Sequence, residues 1–244
     1  MTICNTPGME GHDSWVCRLY RGRPRLAFFL MNTKLTYFAE PTRFAFCGRD
    51  GGLCREAAFT PWRAIQAAAE GAYDRSAACR FTTFVGYEWT GATGARNLHR
   101  NVIFANREVP ALPTSYVEEP TKEGLWQALR RDCLEAGTGC DVLTIPHNSN
   151  LSGGLMFEDV GRGGAPLTRE EARERASFEP LVEIMQHKGS SECLLAPGNE
   201  DELCDFEILP YDDFQGKYVS WLRHPPRPSD TVRDALLRGL LIEA

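Results

Sequence analysis

The sequence predicts an α/β fold, and three observations predict it. Apolar runs rich in β-branched and aromatic residues recur at FTTFVGY, NVIF, DVLTIP and PLVEIMQ, the composition of buried strands. Segments of helical periodicity stand between several of them, as in KEGLWQALRRDCLEA and LTREEARERA. Polar residues and turn chemistry gather where the strands stop. Strands separated by helices imply β-α-β units and a largely parallel sheet or barrel, because parallel strands need crossover connections of that length. In such folds the working groups collect at the carboxyl ends of strands.

The first 43 residues show little periodicity and carry a basic RGRPR cluster, so 1–43 is read as an irregular segment and 44–244 as the β/α domain. Orderly grammar starts at Thr60, where TPW supplies an N-cap and a first-turn proline for the helix WRAIQAAAEGAY. The strand that follows ends near Glu88. GATGARN is turn chemistry, and NVIF after His99 is the second strand. The proline-marked connection REVPALPTSYVEEP exceeds the usual short loop. Thr121 caps the next helix, whose Leu125, Leu129 and Cys133 repeat at helical spacing and whose end is marked by Gly137. DVLTIP is the third strand and stops at His147. Thr168 and Glu171 form a capping box for a charged helix. PLVEIMQ, from Pro180 to Gln186, is the fourth strand, and SDTVRDALLRGLL is a last helix capped by Ser229 or Asp230.

Composition narrows the function. A net charge of −6 with scattered Lys and Arg offers no basic stripe for nucleic acid. The apolar stretch LAFFLM is far too short to span a bilayer, which takes about 20 residues. No targeting segment is visible. Of the nine cysteines, Cys47 and Cys54, Cys133 and Cys140, and Cys193 and Cys204 are spaced to close small disulfide loops, and none has the gap of a zinc knuckle. In a reducing compartment the same residues would serve as small buried hydrophobes.

The candidate chemistry lies at strand ends. Glu88, His99 and His147 bring one carboxylate and two imidazoles to strand termini in a chain with five histidines. That mixture of oxygen and nitrogen donors suits a divalent transition metal such as zinc, manganese or iron. Arg100 and Lys188 are candidates for an anionic oxygen of a small-molecule substrate, and Asn148 and Asn150 for neutral hydrogen bonding or for turns. His187 is a weaker candidate. No GxSxG elbow, P-loop or GxGxxG occurs. A cysteine nucleophile beside His147 or His187 is a third reading, weakened by how many cysteines there are to pair.

CRFTTFVGYEWT, NLHRNVIF, CDVLTIPHNSNLSGG, PLVEIMQHKGSSEC and ELCDFE together resemble a bacterial family catalogued as domain of unknown function 3604. That family in turn resembles the polymerase and histidinol phosphatase (PHP) superfamily of metal-dependent hydrolases. The resemblance implies a partial distorted (β/α) barrel, with Glu88 as bridging ligand, His99 and His147 as further ligands, and Glu183 as a strand carboxylate outside the ligand set. It also implies hydrolysis by a metal-activated water in an intact parent, with a phosphoester as first choice of substrate. The superfamily's His-x-His and Asp-x-His motifs do not occur here. The resemblance therefore implies an internal fragment, inactive by itself. The alternative is a degenerate barrel that binds a ligand or partner without catalysis.

Overall fold

The computed structural model describes residues 47–48, 50–93, 96–161, 164–186, 189–194, 203–204 and 227–243. Segment 1–43, His12, His187, Lys188, His224, Cys4 and Cys17 lie outside the described residues.

Helix α1, Gly52–Ala72, starts well before Thr60 and carries Pro61 in its interior. The start is set by Gly51, whose φ of 74° suits glycine, and by the Asp50 carboxylate, which accepts from the Gly52 amide at 2.9 Å. A disulfide from Cys47 to Cys54 ties the lead-in to the first turn. Pro61 removes one internal hydrogen bond. Beside it, buried Trp62 anchors the helix to the core and donates through Nε1 to the Pro110 carbonyl at 2.9 Å.

Strands β1 (Val85–Trp89), β2 (Arg100–Phe104) and β3 (Val142–Pro146) form a sheet in that order, with both pairings antiparallel. The parallel ladder expected from the alternation of elements is not what these strands build. The connection from β2 to β3 does contain helix α2, Lys122–Leu129, but the helix returns the chain to the rim it left. The Ala105 amide donates to the Asp141 carbonyl at 2.9 Å, so β3 begins where β2 ended and must run the other way. Helix α2 is capped by Thr121 as its sequence predicts, and Leu125, Leu129 and Cys133 are buried. It passes into a π-helical turn, Arg130–Leu134, whose Cys133 is bonded to Cys140.

Helix α3, Arg169–Phe178, has the predicted Thr168–Glu171 capping box. Val85, Trp89, Val102, Phe104 and Val142 on one face of the sheet pack with Trp62 of α1, Leu125, Trp126 and Leu129 of α2, and Phe178 of α3. Helices thus cover one face of the sheet. Of the predicted fourth strand only Met185–Gln186 (β4) pairs, with Gly189–Ser190 (β5), while the Glu183 amide donates to the Pro146 carbonyl at 3.0 Å. Helix α4, Val232–Glu243, begins after Thr231, and Ser229 and Asp230 belong to the 3-10 turn before it. The third predicted disulfide, Cys193–Cys204, is present, and Cys79 is free and exposed. Among the described residues no helix is long and apolar enough to cross a membrane.

Candidate functional site

Residues directly opposite each other in an antiparallel pair share a face of the sheet, and the face alternates along each strand. Glu88 is opposite Asn101, and Arg100 is opposite Pro146. The ladder runs one step further, because the His147 amide donates to the His99 carbonyl at 3.1 Å. His99 therefore stands opposite His147. Glu88, His99, Asn101 and His147 share one face at one rim, opposite the helices, while Trp89, Arg100 and Val102 turn into the core. Antiparallel pairing achieves this convergence: the end of β1, the start of β2 and the end of β3 meet at the same edge.

His99 Nδ1 lies 2.6 Å from Glu88 Oε1. The other carboxylate oxygen, Oε2, lies 3.9 Å from His147 Nε2, and the two imidazole rings are 6.0 Å apart and nearly perpendicular. The hydrogen bond from His99 is the main cause holding the Glu88 carboxyl below its ordinary value, against a partial burial that would raise it. On its other side His147 Nδ1 lies 2.8 Å from Glu183 Oε2, which also accepts from the Asn148 amide at 2.7 Å and from Gln186 Nε2 at 2.6 Å. Burial would raise the Glu183 carboxyl, but those three donors outweigh it and hold it below its ordinary value.

The donor set can be tested against a divalent cation. His147 Nε2 is buried and has no hydrogen-bond partner among the described residues. Its 3.9 Å separation from Glu88 Oε2 is too long for a hydrogen bond. Two donors each about 2.1 Å from one tetrahedral zinc ion stand about 3.4 Å apart, so this pair would have to close by about half an ångström to share one. The third donor is not turned to the same point, since His99 meets Glu88 through Nδ1. Among the described residues no three His, Cys, Asp or Glu side chains form a ready cation cluster.

The residues read from the sequence as substrate contacts are placed differently. Arg100 is 1% exposed and serves the core. Its Nε donates to Glu179 Oε1 at 2.9 Å, Nη1 donates to the Leu98 carbonyl, and the guanidinium lies over the Trp89 ring. It cannot reach a ligand on the site face. Asn148 is also buried: its amide group donates to the Ile184 and Gly189 carbonyls and its Oδ1 accepts from Ser191 Oγ, so it joins the loop after β3 to the β4–β5 hairpin. Asn150 is buried beside it, with its backbone amide donating to Ser191 Oγ. Lys188 and His187 lie outside the described residues.

Sequence reasoning missed Gln186 and Asp230. The Asp230 carboxylate accepts from Ser152 Oγ, from the Gly154 amide and from the Arg227 amide, and so pins the polar loop after His147 to the start of α4. A lone aspartate at a helix start reads as a cap, and nothing local marks its partner across the fold.

A family model described as "Protein of unknown function (DUF3604)" matches residues 17–244. No curated protein and no solved structure matches the chain.

Proposed function

The chain belongs to the DUF3604 family, and from that premise we propose that it carries part of the metal centre of a hydrolase, set in a distorted β/α barrel of PHP type. One observation carries the reading: the buried His147 Nε2, without a hydrogen-bond partner among the described residues, faces Glu88 Oε2 across a gap that a small closure would fit to a shared cation. Helices on one face of the sheet support the reading, although the antiparallel order of β1, β2 and β3 departs from the parallel wall of a β/α barrel. Glu88 and His147 would hold a zinc, manganese or iron ion, with His99 joining them by releasing its hydrogen bond to Glu88. A bound divalent ion supplies Lewis acidity and a nucleophilic water at neutral pH.

The chain's own residues set the rest. With Arg100 committed to Glu179, the negative charge of a phosphoester or other polar ester would be met by the cation. Glu88, held ionised by His99, keeps the site anionic until a cation binds.

The experiment is calorimetric titration of the chelator-stripped chain with zinc and with manganese. Stoichiometric binding is expected, weakened at least about tenfold in His147→Ala. Wild-type protein that binds neither ion, or a variant that binds as well, ends the reading. The second reading is a ligand- or partner-binding domain without catalysis. It is favoured by the 2.6 Å contact between His99 and Glu88, which satisfies both groups without a cation, and absence of binding to both ions would select it.

A further inference from the structure

We infer that Glu183 is the positioning residue of His147: it fixes the imidazole in the tautomer that carries its proton on Nδ1 and presents the bare Nε2 to Glu88. The inference rests on the metal-centre reading and names a residue outside its ligand set.

The geometry leaves little choice. An ionised carboxylate only accepts hydrogen bonds. Glu183 Oε2 is already confirmed as an acceptor by the Asn148 backbone amide, which can only donate, at 2.7 Å. Nδ1 of His147, 2.8 Å from the same oxygen, must therefore bring the proton. Neutral imidazole has one N–H, so Nε2 holds a lone pair. That atom is buried with no hydrogen-bond partner among the described residues, 3.9 Å from Glu88 Oε2. Gln186 Nε2 lies 3.1 Å from the same Nδ1 and would favour the opposite tautomer if it donated there, but it lies closer, at 2.6 Å, to the Glu183 oxygen. The acceptor is itself held in place. The Glu183 amide donates to the Pro146 carbonyl at 3.0 Å, one residue before the histidine it orients. A carboxylate that holds the far nitrogen of a ligating histidine sets ring orientation and raises the basicity of the near one.

The test is a two-dimensional imidazole nitrogen–proton correlation spectrum of the metal-free chain, in alkaline solution where histidine is neutral, with His147 assigned by its loss in His147→Ala. The wild type is expected to show the Nδ1–H tautomer. Glu183→Ala is expected to shift His147 toward Nε2–H, and Glu183→Gln, whose carbonyl oxygen still accepts, to restore it. Zinc dissociation constants on the same proteins are expected to rise about 10–100-fold in Glu183→Ala. An Nε2–H signal from wild-type His147, or an unchanged tautomer in a folded Glu183→Ala, overturns the inference. If Glu183→Ala does not fold, the wild-type and Glu183→Gln spectra decide. A wild type with the Nδ1–H tautomer that binds no zinc and no manganese defeats the metal reading alone, and the failure is then located there.

Discussion

Arg100 and His99 are adjacent in sequence and serve opposite faces of the sheet. The alternation was legible: Arg100 has the parity of Val102 and Phe104, both core residues, whereas His99 has that of Asn101. What NLHRNVIF does not show is the acid that makes a buried guanidinium tolerable. Glu179 lies on a distant segment, has a side chain only 3% exposed, and also pairs with Arg175. From the sequence alone Arg100 is therefore a candidate for an anionic substrate oxygen, a role that only a surface position would allow. Glu88 and His147, both at strand ends, would share a rim in a sheet of either sense, whereas His99, at the start of β2, joins them only because the pairing is antiparallel. Removing one member of a buried ion pair leaves the other uncompensated, at a cost of about 3–5 kcal/mol. Arg100→Met should lower unfolding stability by that order in urea titrations, with zinc binding by the folded protein unchanged. A loss below about 1 kcal/mol would show that Arg175 alone suffices for Glu179.

Elements with local signals formed as read, and those governed by distant contacts did not. Thr121 and the Thr168–Glu171 pair cap their helices because a cap is settled within one turn. Pro61 misled for a physical reason: a proline at the first helical turn and one inside a helix differ only in what precedes them, and here Asp50, Gly51 and the Cys47–Cys54 bond start the helix earlier. The sense of β3 was likewise decided at the end of its connection. The Cys133–Cys140 bond joins the π-helical turn after α2 to the residue before Asp141, so it helps to fix where β3 starts. Both cysteines are buried. Loop-closure entropy for so short a loop is worth about 2–3 kcal/mol. Cys133→Ala combined with Cys140→Ala should therefore lower the unfolding free energy in urea titrations by that order, and a reducing agent should destabilise the wild type but add nothing at this site in the variant. A midpoint unchanged within error would show that packing alone fixes the start of β3.

For the molecule as a whole, the site carries a liability that pH exposes. Glu88 and Glu183 both have carboxyl groups held below their ordinary value of 4.5, the first chiefly by the His99 hydrogen bond, the second by three donors acting against burial. A carboxyl whose folded-state pKa is depressed binds protons more readily in the unfolded chain, so the stability it contributes is complete above 4.5 and is lost as pH falls through the lower folded value. The metal-free chain should accordingly keep a plateau of stability at neutral pH and lose it below that range. Asp50, which is exposed, and Asp74, which is half-buried, are depressed as well and lie outside the site, so the contribution of the site has to be read as a difference. Urea midpoints of wild type and Glu183→Gln, followed from neutral pH to strong acid, should converge as pH drops, because the variant has no carboxylate to protonate at that position. Two curves that stay parallel throughout would mean that Glu183 is not ionised against His147 and Asn148 in the folded protein, and the acceptor-only role argued for its Oε2 atom would fall with it.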